Sequence, residues 1–384
     1  MMDSELPSLI YVGYKALLAR LGALFRRSKP ASPARILVAP HLRLGDALLV
    51  TPLLAKLRER YPLAEIVLVC APPMLPLYQT RPYGVTVWPY HPRKLETVAA
   101  MLARPGFDLA IIPGDNRHVW LASALRSKWI VAHAGGAAFK NWLADELVEY
   151  PDHPASMSDI FAALCPGPAP RLFQLGDWPQ PGFTPFDPPS GPYAVLHVGA
   201  STPLRHWAAS HWLELANWLN NQHITPVWSG GPGEDLVVRQ IDPDGRYASY
   251  AGQLDLAQMW ELMAKAGVFI SPDTGVAHLA RLAGVPAIAI FGPGDSRLFG
   301  RGAFWQNAPC TEVGLSSFPC RDQHVIFDRH RAWINHCSRS PQNCQQPGAC
   351  MVAVTPLAVM EAVQSLWAKR PLQDSALGCM VASE

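Results

Sequence analysis

The sequence predicts an α/β protein made of two doubly wound, Rossmann-like domains with parallel sheets. Three observations carry this. Short apolar runs rich in Val, Ile and Leu alternate with helix-spaced stretches from Arg35 to Trp367. One Pro- and Gly-rich stretch, residues 166–192, interrupts the alternation. At 384 residues the chain is long enough for two cores.

Residues 8–29 space apolar side chains at Ile10, Tyr14, Leu17, Leu18, Leu21, Leu24 and Phe25, with Lys15, Arg20, Arg26, Arg27 and Lys29 among them. An amphipathic helix with a basic end is expected, followed by a Pro30–Pro33 linker that detaches it. It serves either as a membrane-surface anchor or as a helix packed on the protein's own core. Strands are expected at 35–40, 65–71, 85–88, 107–113 and 129–133, with helices at 46–61, 93–104 and 117–126. A second series begins at Tyr193: strands at 193–199, 225–230, 268–271 and 285–291, with helices at 207–220, from about 234, at 254–266 and at 276–283. A final helix is expected at 355–367. The expected division is a helix and linker (1–33), a first domain (34–170), a linker (171–192), a second domain (193–354) and a C-terminal helix and tail (355–384).

A net charge of +2 gives no reason to expect nucleic acid as a partner. No apolar run reaches the ~18–20 residues that span a bilayer, and no secretory leader pattern is visible. A cytoplasmic protein is expected, whose 8 cysteines serve as thiols or metal ligands rather than disulfides.

The most informative stretch is 268–293, a strand, a tight Asp273-Thr274-Gly275 turn, a helix ending at Gly284 and a second strand closed by Gly292-Pro293. Free N–H groups at the helix start and the helix dipole suit a phosphate or pyrophosphate. Gly275 allows close approach, and His278 lies one turn on from Thr274. The local pattern equally fits an ordinary crossover capped by Asp273 or Thr274.

Three further strand ends carry candidates. His41-Leu-Arg43-Leu-Gly45-Asp46 follows the first strand, with one carboxylate that suits a general base or an N-cap. His197-Val-Gly199-Ala-Ser201 ends the first strand of the second domain, and Arg205 follows it, by local pattern a surface arginine flanking a helix start. Gly230-Gly231-Pro232-Gly233-Glu234 opens a helix with an acidic first turn. A cysteine block, Cys320, Cys337, Cys344 and Cys350, occupies the tail. Its spacing is not a strong metal signature, so a cysteine-bound iron or zinc stands against plain buried or free thiols.

Asp273, Thr274, Gly275, His278, Gly284, Pro286 and Phe291-Gly292-Pro293 together resemble the donor-site signature of glycosyltransferase family 9, the ADP-heptose heptosyltransferases. The resemblance runs from about residue 35 to about residue 365. It implies a GT-B architecture, two such domains facing a cleft, and a final helix that crosses back to the first domain. It implies Asp46 as general base, with Gly45 beside it, and Arg205 where the family usually has lysine. Ser201, Glu234, Asp273, Thr274, Gly275 and His278 become donor-binding residues, with Glu234 on the nucleoside. The implied function is an inverting, metal-independent transfer of heptose from ADP-heptose to the lipopolysaccharide inner core, at the cytoplasmic face of the inner membrane. The chain departs from the family at Gly294-Asp295, where many members have Thr after Phe-Gly-Pro. The cysteine block is similar to that of a family 9 branch that glycosylates autotransporter proteins and binds iron, although Ser317 stands where that branch has its first cysteine. A protein O-heptosyltransferase is therefore the alternative enzyme, and a non-catalytic nucleotide-sugar binding protein the alternative class.

Overall fold

The computed structural model describes residues 5–22 and 28–369. They form two compact units. The first is the chain up to Gly182 with Gly302–Gln306 and His324–Ile334; the second is Phe183–Arg301, Asn307–Gln323 and Asn335 onward.

The first unit holds six parallel strands: β1 (Arg35–Val38), β2 (Glu65–Cys70), β3 (Thr86–Pro89), β4 (Leu109–Ile112), β5 (Trp129–His133) and β6 (Glu146–Val148). Their order is β3-β2-β1-β4-β5-β6, and Ile36 lies opposite both Ile66 and Leu109. Chain direction across the sheet reverses between β1 and β4, the point where loops diverge and leave room for a ligand. Near-continuous Val, Ile and Leu runs bury both faces of the central strands, as a helix-covered parallel sheet requires.

The helices of this unit are α1 (Leu6–Gly22), α2 (Leu44–Leu49), α3 (Thr51–Arg60), α4 (Leu95–Leu102), α5 (Val119–Ala124), α6 (Ala138–Asn141) and α7 (Met157–Ala162). The expected helix 46–61 is two helices. The Thr51 hydroxyl donates to Leu48 O at 2.6 Å, and Pro52 brings no N–H to the junction.

Helix α1 is not detached by its Pro-containing linker. Val12 and Ala16 are buried in the core of the first unit, the Ser123 hydroxyl donates to Ala16 O, and Arg20 pairs with Asp145 at 2.9 Å. Only a narrow stripe is used in this way. Leu6, Leu9, Ile10, Tyr14, Leu17, Leu18 and Leu21 are each 41–65% exposed. Leu24, Phe25, Arg26 and Arg27 of the expected helix, and the tail from Arg370, lie outside the described residues.

The second unit carries five parallel strands: β7 (Tyr193–His197), β8 (Thr225–Ser229), β9 (Val268–Pro272), β10 (Ala287–Phe291) and β11 (Cys310–Gly314), in the order β11-β10-β9-β7-β8. Here the direction reverses between β7 and β9. The helices are α8 (Ala209–Asn221), α9 (Asp235–Ile241), α10 (Leu256–Ala264), α11 (Gly275–Ala283), α12 (Ser296–Phe299), α13 (Ala349–Val352) and α14 (Pro356–Ala368). The final helix, expected to cross back to the first domain, packs in the core of the second unit through Val359 and Val363. Trp367 stacks on Trp218 and donates to Gly267 O at 3.2 Å.

Two short antiparallel strands, β12 (Val325–Ile326) and β13 (Arg329–His330), group with the first unit rather than with the second domain to which the sequence reading assigned them. Phe327 and Asp328 turn this hairpin at positive φ, 50° and 61°, the backbone of a tight two-residue hairpin loop.

Candidate functional site

Most candidates lie where the two sheets reverse direction, on loops leaving the carboxyl ends of strands. In the second unit β9 ends at Pro272, and Asp273-Thr274-Gly275 leads into α11. Thr274 has the backbone of an N-cap, yet its side chain caps nothing, and its hydroxyl is buried without a hydrogen-bond partner. The start of α11 therefore carries N–H groups with no side-chain acceptor.

Arg205, in a short turn after β7, reaches this point. Its guanidinium donates to Asp273 O at 2.8 Å and lies 3.6 Å from Asp273 Oδ2. Burial pushes the Asp273 carboxyl up, against the charges of Arg205 and then Arg281. Asp273 Oδ2 and His278 Nδ1 are both buried and unpartnered by hydrogen bonds. Burial, then Arg281 and Arg205, hold His278 well below the ordinary histidine value, so it stays neutral. One spot thus gathers a guanidinium, a helix start without a side-chain cap, the Thr274 hydroxyl and His278 Nδ1 without hydrogen bonds, and Asp273 Oδ2 facing Arg205.

Glu234 stands at the start of α9 beyond β8. Its carboxylate accepts the Gly231 N–H and fills the space over Gly199, where any Cβ would fall on it. That contact explains the glycine at the end of β7. Ser201 is exposed on the same loop. Asp242-Pro243-Asp244 is spelled like a metal-binding acidic pair, but Asp242 is buried and accepts from Trp228 Nε1, Arg246 N and Tyr247 N. Its carboxylate is committed to the fold.

In the first unit, Gly45 and Asp46 lie inside α2, so Asp46 is not its N-cap; Arg43 occupies that position. His41 Nδ1 lies 3.6 Å from Asp46 Oδ2. Burial, then Arg117 and Arg43, lower His41 to about 4, and its Nδ1 accepts the Arg43 N–H at 3.2 Å. This approach is therefore not an ion pair at neutral pH.

Sequence reasoning missed the groups around His41. The loop after β4 supplies Asp115, Arg117 and His118. Burial works against the Asp115 carboxylate, but Arg117 and Lys140 hold it down to about 2. Arg329, 3% exposed, donates to Ala134 O at 2.6 Å, Gly114 O at 3.1 Å and His133 O at 3.2 Å, which fastens two strand-end loops of the sheet. Nothing in local spacing marks Arg329, because its partners lie about 200 residues away along the chain.

The four tail cysteines sit within one another's electric field. Burial raises Cys350 to about 11, and Cys320, Cys337 and Cys344 add to the rise. Cys320 and Cys344 line a cavity of about 250 Å³ with Arg339 and Asp322. Among the described residues no three His, Cys, Asp or Glu side chains form a set that could hold a metal ion. The expected set of Cys320, Cys337, Cys344 and Cys350 is thus not assembled as a closed centre. Arg339 lies 3.6 Å from Cys337 Sγ. Cys310 offers no substitute, since it is buried in β11.

The comparisons follow this geometry. Residues 177–330 match the family model of glycosyltransferase family 9 (heptosyltransferase). Lipopolysaccharide heptosyltransferase 1 of Pseudomonas aeruginosa is 28% identical over 153 residues, 37% of this chain and 43% of the relative, so the match spans under half of that protein. Among solved structures, the ADP-heptose lipopolysaccharide heptosyltransferase II of E. coli superimposes with a TM-score of 0.65 at 17% identity, covering 86% of this chain and 98% of that one. The iron-containing dodecameric glycosyltransferase TibC of enterotoxigenic E. coli gives 0.55 at 13%, covering 89% and 80%. The fold is the GT-B fold of these neighbours. Over residues 177–330 the chain is similar to glycosyltransferase family 9.

Proposed function

We propose that the chain is an inverting glycosyltransferase that moves heptose from ADP-heptose to the lipopolysaccharide inner core. The observation that carries this is the uncapped start of α11 with Arg205 beside it, a built acceptor for a diphosphate at the reversal point of the second sheet. In this reading the acceptor oxygen attacks the anomeric carbon, its proton passes to Asp46, and the bond to the diphosphate breaks. The amides of Thr274 and Gly275 and the Arg205 guanidinium take up charge on the departing ADP. Glu234 serves the ribose hydroxyls, and Asp273, His278, Gly45 and Ser201 shape the donor and acceptor sides. The leaving group is stabilised by this chain's own cations and amides. No step is routed through the cysteine block.

The acceptor is a glycolipid, and α1 suits the surface that holds it. Its outward face is apolar, and residues 6–45 contain no Asp or Glu while carrying Lys15, Arg20, Arg26, Arg27 and Lys29. Association with anionic lipid at the cytoplasmic face of the inner membrane follows. Because α1 also fills the core with Val12 and Ala16, the clean test replaces Leu9, Ile10 and Leu21 by Ser rather than deleting the helix. Vesicle flotation should drop for the triple variant, and equal flotation would remove the membrane reading.

The cysteine block, through its resemblance to the autotransporter-glycosylating branch, favours a second reading, transfer of heptose to a protein hydroxyl. One experiment separates the two. ADP-heptose is offered with truncated core lipopolysaccharide or with an autotransporter passenger domain, and the labelled product is identified. Turnover of neither acceptor, with donor binding intact, would support a non-catalytic binder.

A further inference from the structure

The loop after β10, Gly292-Pro293-Gly294-Asp295, has its backbone carbonyls taken up by a distant part of the chain. Arg321, 5% exposed, donates to Gly294 O at 3.1 Å and Gly292 O at 3.4 Å, and also to Leu315 O. The Cys337 N–H donates to Pro293 O at 2.8 Å. The Asn335 N–H donates to Asp295 Oδ2 at 3.0 Å. Three consecutive carbonyls and the next carboxylate are thus held by residues that lie between Cys320 and Cys337 or at their edge.

This loop touches the proposed donor pocket. A Cβ at Gly294 would stand 2.6 Å from Asp273 Oδ2, so the Gly294 backbone forms the wall against which that carboxylate rests. Asp273 in turn carries Arg205 on its carbonyl. The connection runs from Arg321 to Gly294, to Asp273 and to Arg205 without a gap. A buried guanidinium on backbone carbonyls is a rigid tie, because each broken bond leaves a desolvated acceptor.

We infer that Arg321 is a positioning residue for donor binding: it braces the 292–295 loop and so fixes Asp273 and Arg205 around the nucleotide diphosphate. The inference rests on the donor reading above. It assigns the cysteine-bearing segment a mechanical task in the donor unit that holds whether or not its thiols bind metal.

The test compares wild type with Arg321→Met, Arg321→Lys and Gly294→Ala. ADP affinity is read by calorimetric titration, and exchange of the Asn335 and Cys337 amides by mass spectrometry. Arg321→Met should weaken ADP tenfold or more and speed exchange at both amides at least tenfold. Arg321→Lys, which keeps one cation, should recover part of both. Gly294→Ala should weaken ADP while Arg321 is intact. If Arg321→Met does not fold, the other two variants decide. ADP affinity within twofold of wild type in every folded variant overturns the inference. If wild type itself ignores ADP, the donor reading fails, and the exchange rates alone decide the bracing: unchanged exchange in the folded Arg321 variants overturns it.

Discussion

Replacing Arg205 by Ala is the most informative single change, because the side chain serves both the fold and the proposed ligand. From the sequence alone Arg205 reads as a diphosphate-binding cation or as a plain surface residue at a helix start. The structure ties it to Asp273, with a hydrogen bond of 2.8 Å to the carbonyl and an ion pair at 3.6 Å. An ionic hydrogen bond is worth about 1.5–3 kcal/mol net. Arg205 is 29% exposed and Asp273 9%, so screening trims this to roughly 1–2 kcal/mol. At about 2–4 °C per kcal/mol for a unit of this size, the melting transition of the second unit should fall by about 2–8 °C without ligand. ADP affinity should fall tenfold or more, about 1.4 kcal/mol. Acidity adds a control. Burial already raises the Asp273 carboxyl, and loss of Arg205 raises it further. An acid whose folded pKa lies above its unfolded value costs stability as pH rises through that interval. The gap between wild type and variant should therefore narrow as pH falls and Asp273 takes up a proton. Scanning calorimetry from pH 7.5 downward reads the transition, and titration with ADP reads the ligand. Asp273→Asn keeps the carbonyl but removes the charge, so a double-mutant cycle separates the two contacts. An unchanged transition together with ADP affinity within twofold of wild type would refute the reasoning.

Asp46→Asn should leave ADP affinity within twofold and lower kcat by at least ~10²-fold, the usual scale for a general base; turnover close to wild type would reduce Asp46 to a helix residue. His118 and His197 are each lowered to about 4 by burial, in different units. Both are neutral in the folded protein and titrate at about 6.5 in the unfolded chain, so each unit should lose stability as pH falls from about 6.5 to about 4, on the order of 3 kcal/mol per histidine. Circular dichroism melts at stepped pH check this, and a flat midpoint over that window would contradict it. Cys350, raised to about 11, should be alkylated by iodoacetamide after Cys320, Cys337 and Cys344. Peptide mapping over time reads the order, and protection of all four until a chelator is added would instead mean a bound metal.

The central strands were legible because each is a buried parallel strand that writes itself as a continuous apolar run, as in Ile36 to Val38 or Ala287 to Phe291. The edge strands were not. β6 reads Glu-Leu-Val and β11 reads Cys-Thr-Glu-Val-Gly, half-exposed and too mixed for periodicity to mark. Helix α1 was legible as a helix, but its packing was not, since apolar side chains on both faces hide which one is buried. The candidate residues on strand-end loops were legible as motifs because a turn, a glycine and a polar group fall within a few positions. Arg321 and Arg329 were invisible for the opposite reason. A long cation that ties backbone carbonyls far away in sequence leaves no local pattern.

The Asp273-Thr274-Gly275 turn is where local chemistry and structure diverge. This chain caps helices well with residues of the same kinds. Ser156 accepts the Asp159 N–H at the start of α7, Asp255 accepts two N–H groups at α10, Asp295 accepts the Arg297 N–H at α12, and Thr355 accepts the Ala358 N–H at α14. Asp273 and Thr274 could do likewise at α11 and do not. An unused cap forgoes about 1 kcal/mol, and here the Thr274 hydroxyl and Asp273 Oδ2 are buried without a hydrogen bond as well. A diphosphate arriving at the helix start would take the amides, the hydroxyl and the guanidinium together, so the stability missing from the empty protein reappears as binding energy. The expected consequence is that ADP raises the melting transition of the second unit in wild type, and that Thr274→Val, which removes only the orphaned hydroxyl, leaves the unliganded transition unchanged or higher while reducing that rise. A Thr274→Val variant that melts lower without ligand and gains as much from ADP as wild type would mean that the hydroxyl serves the fold after all.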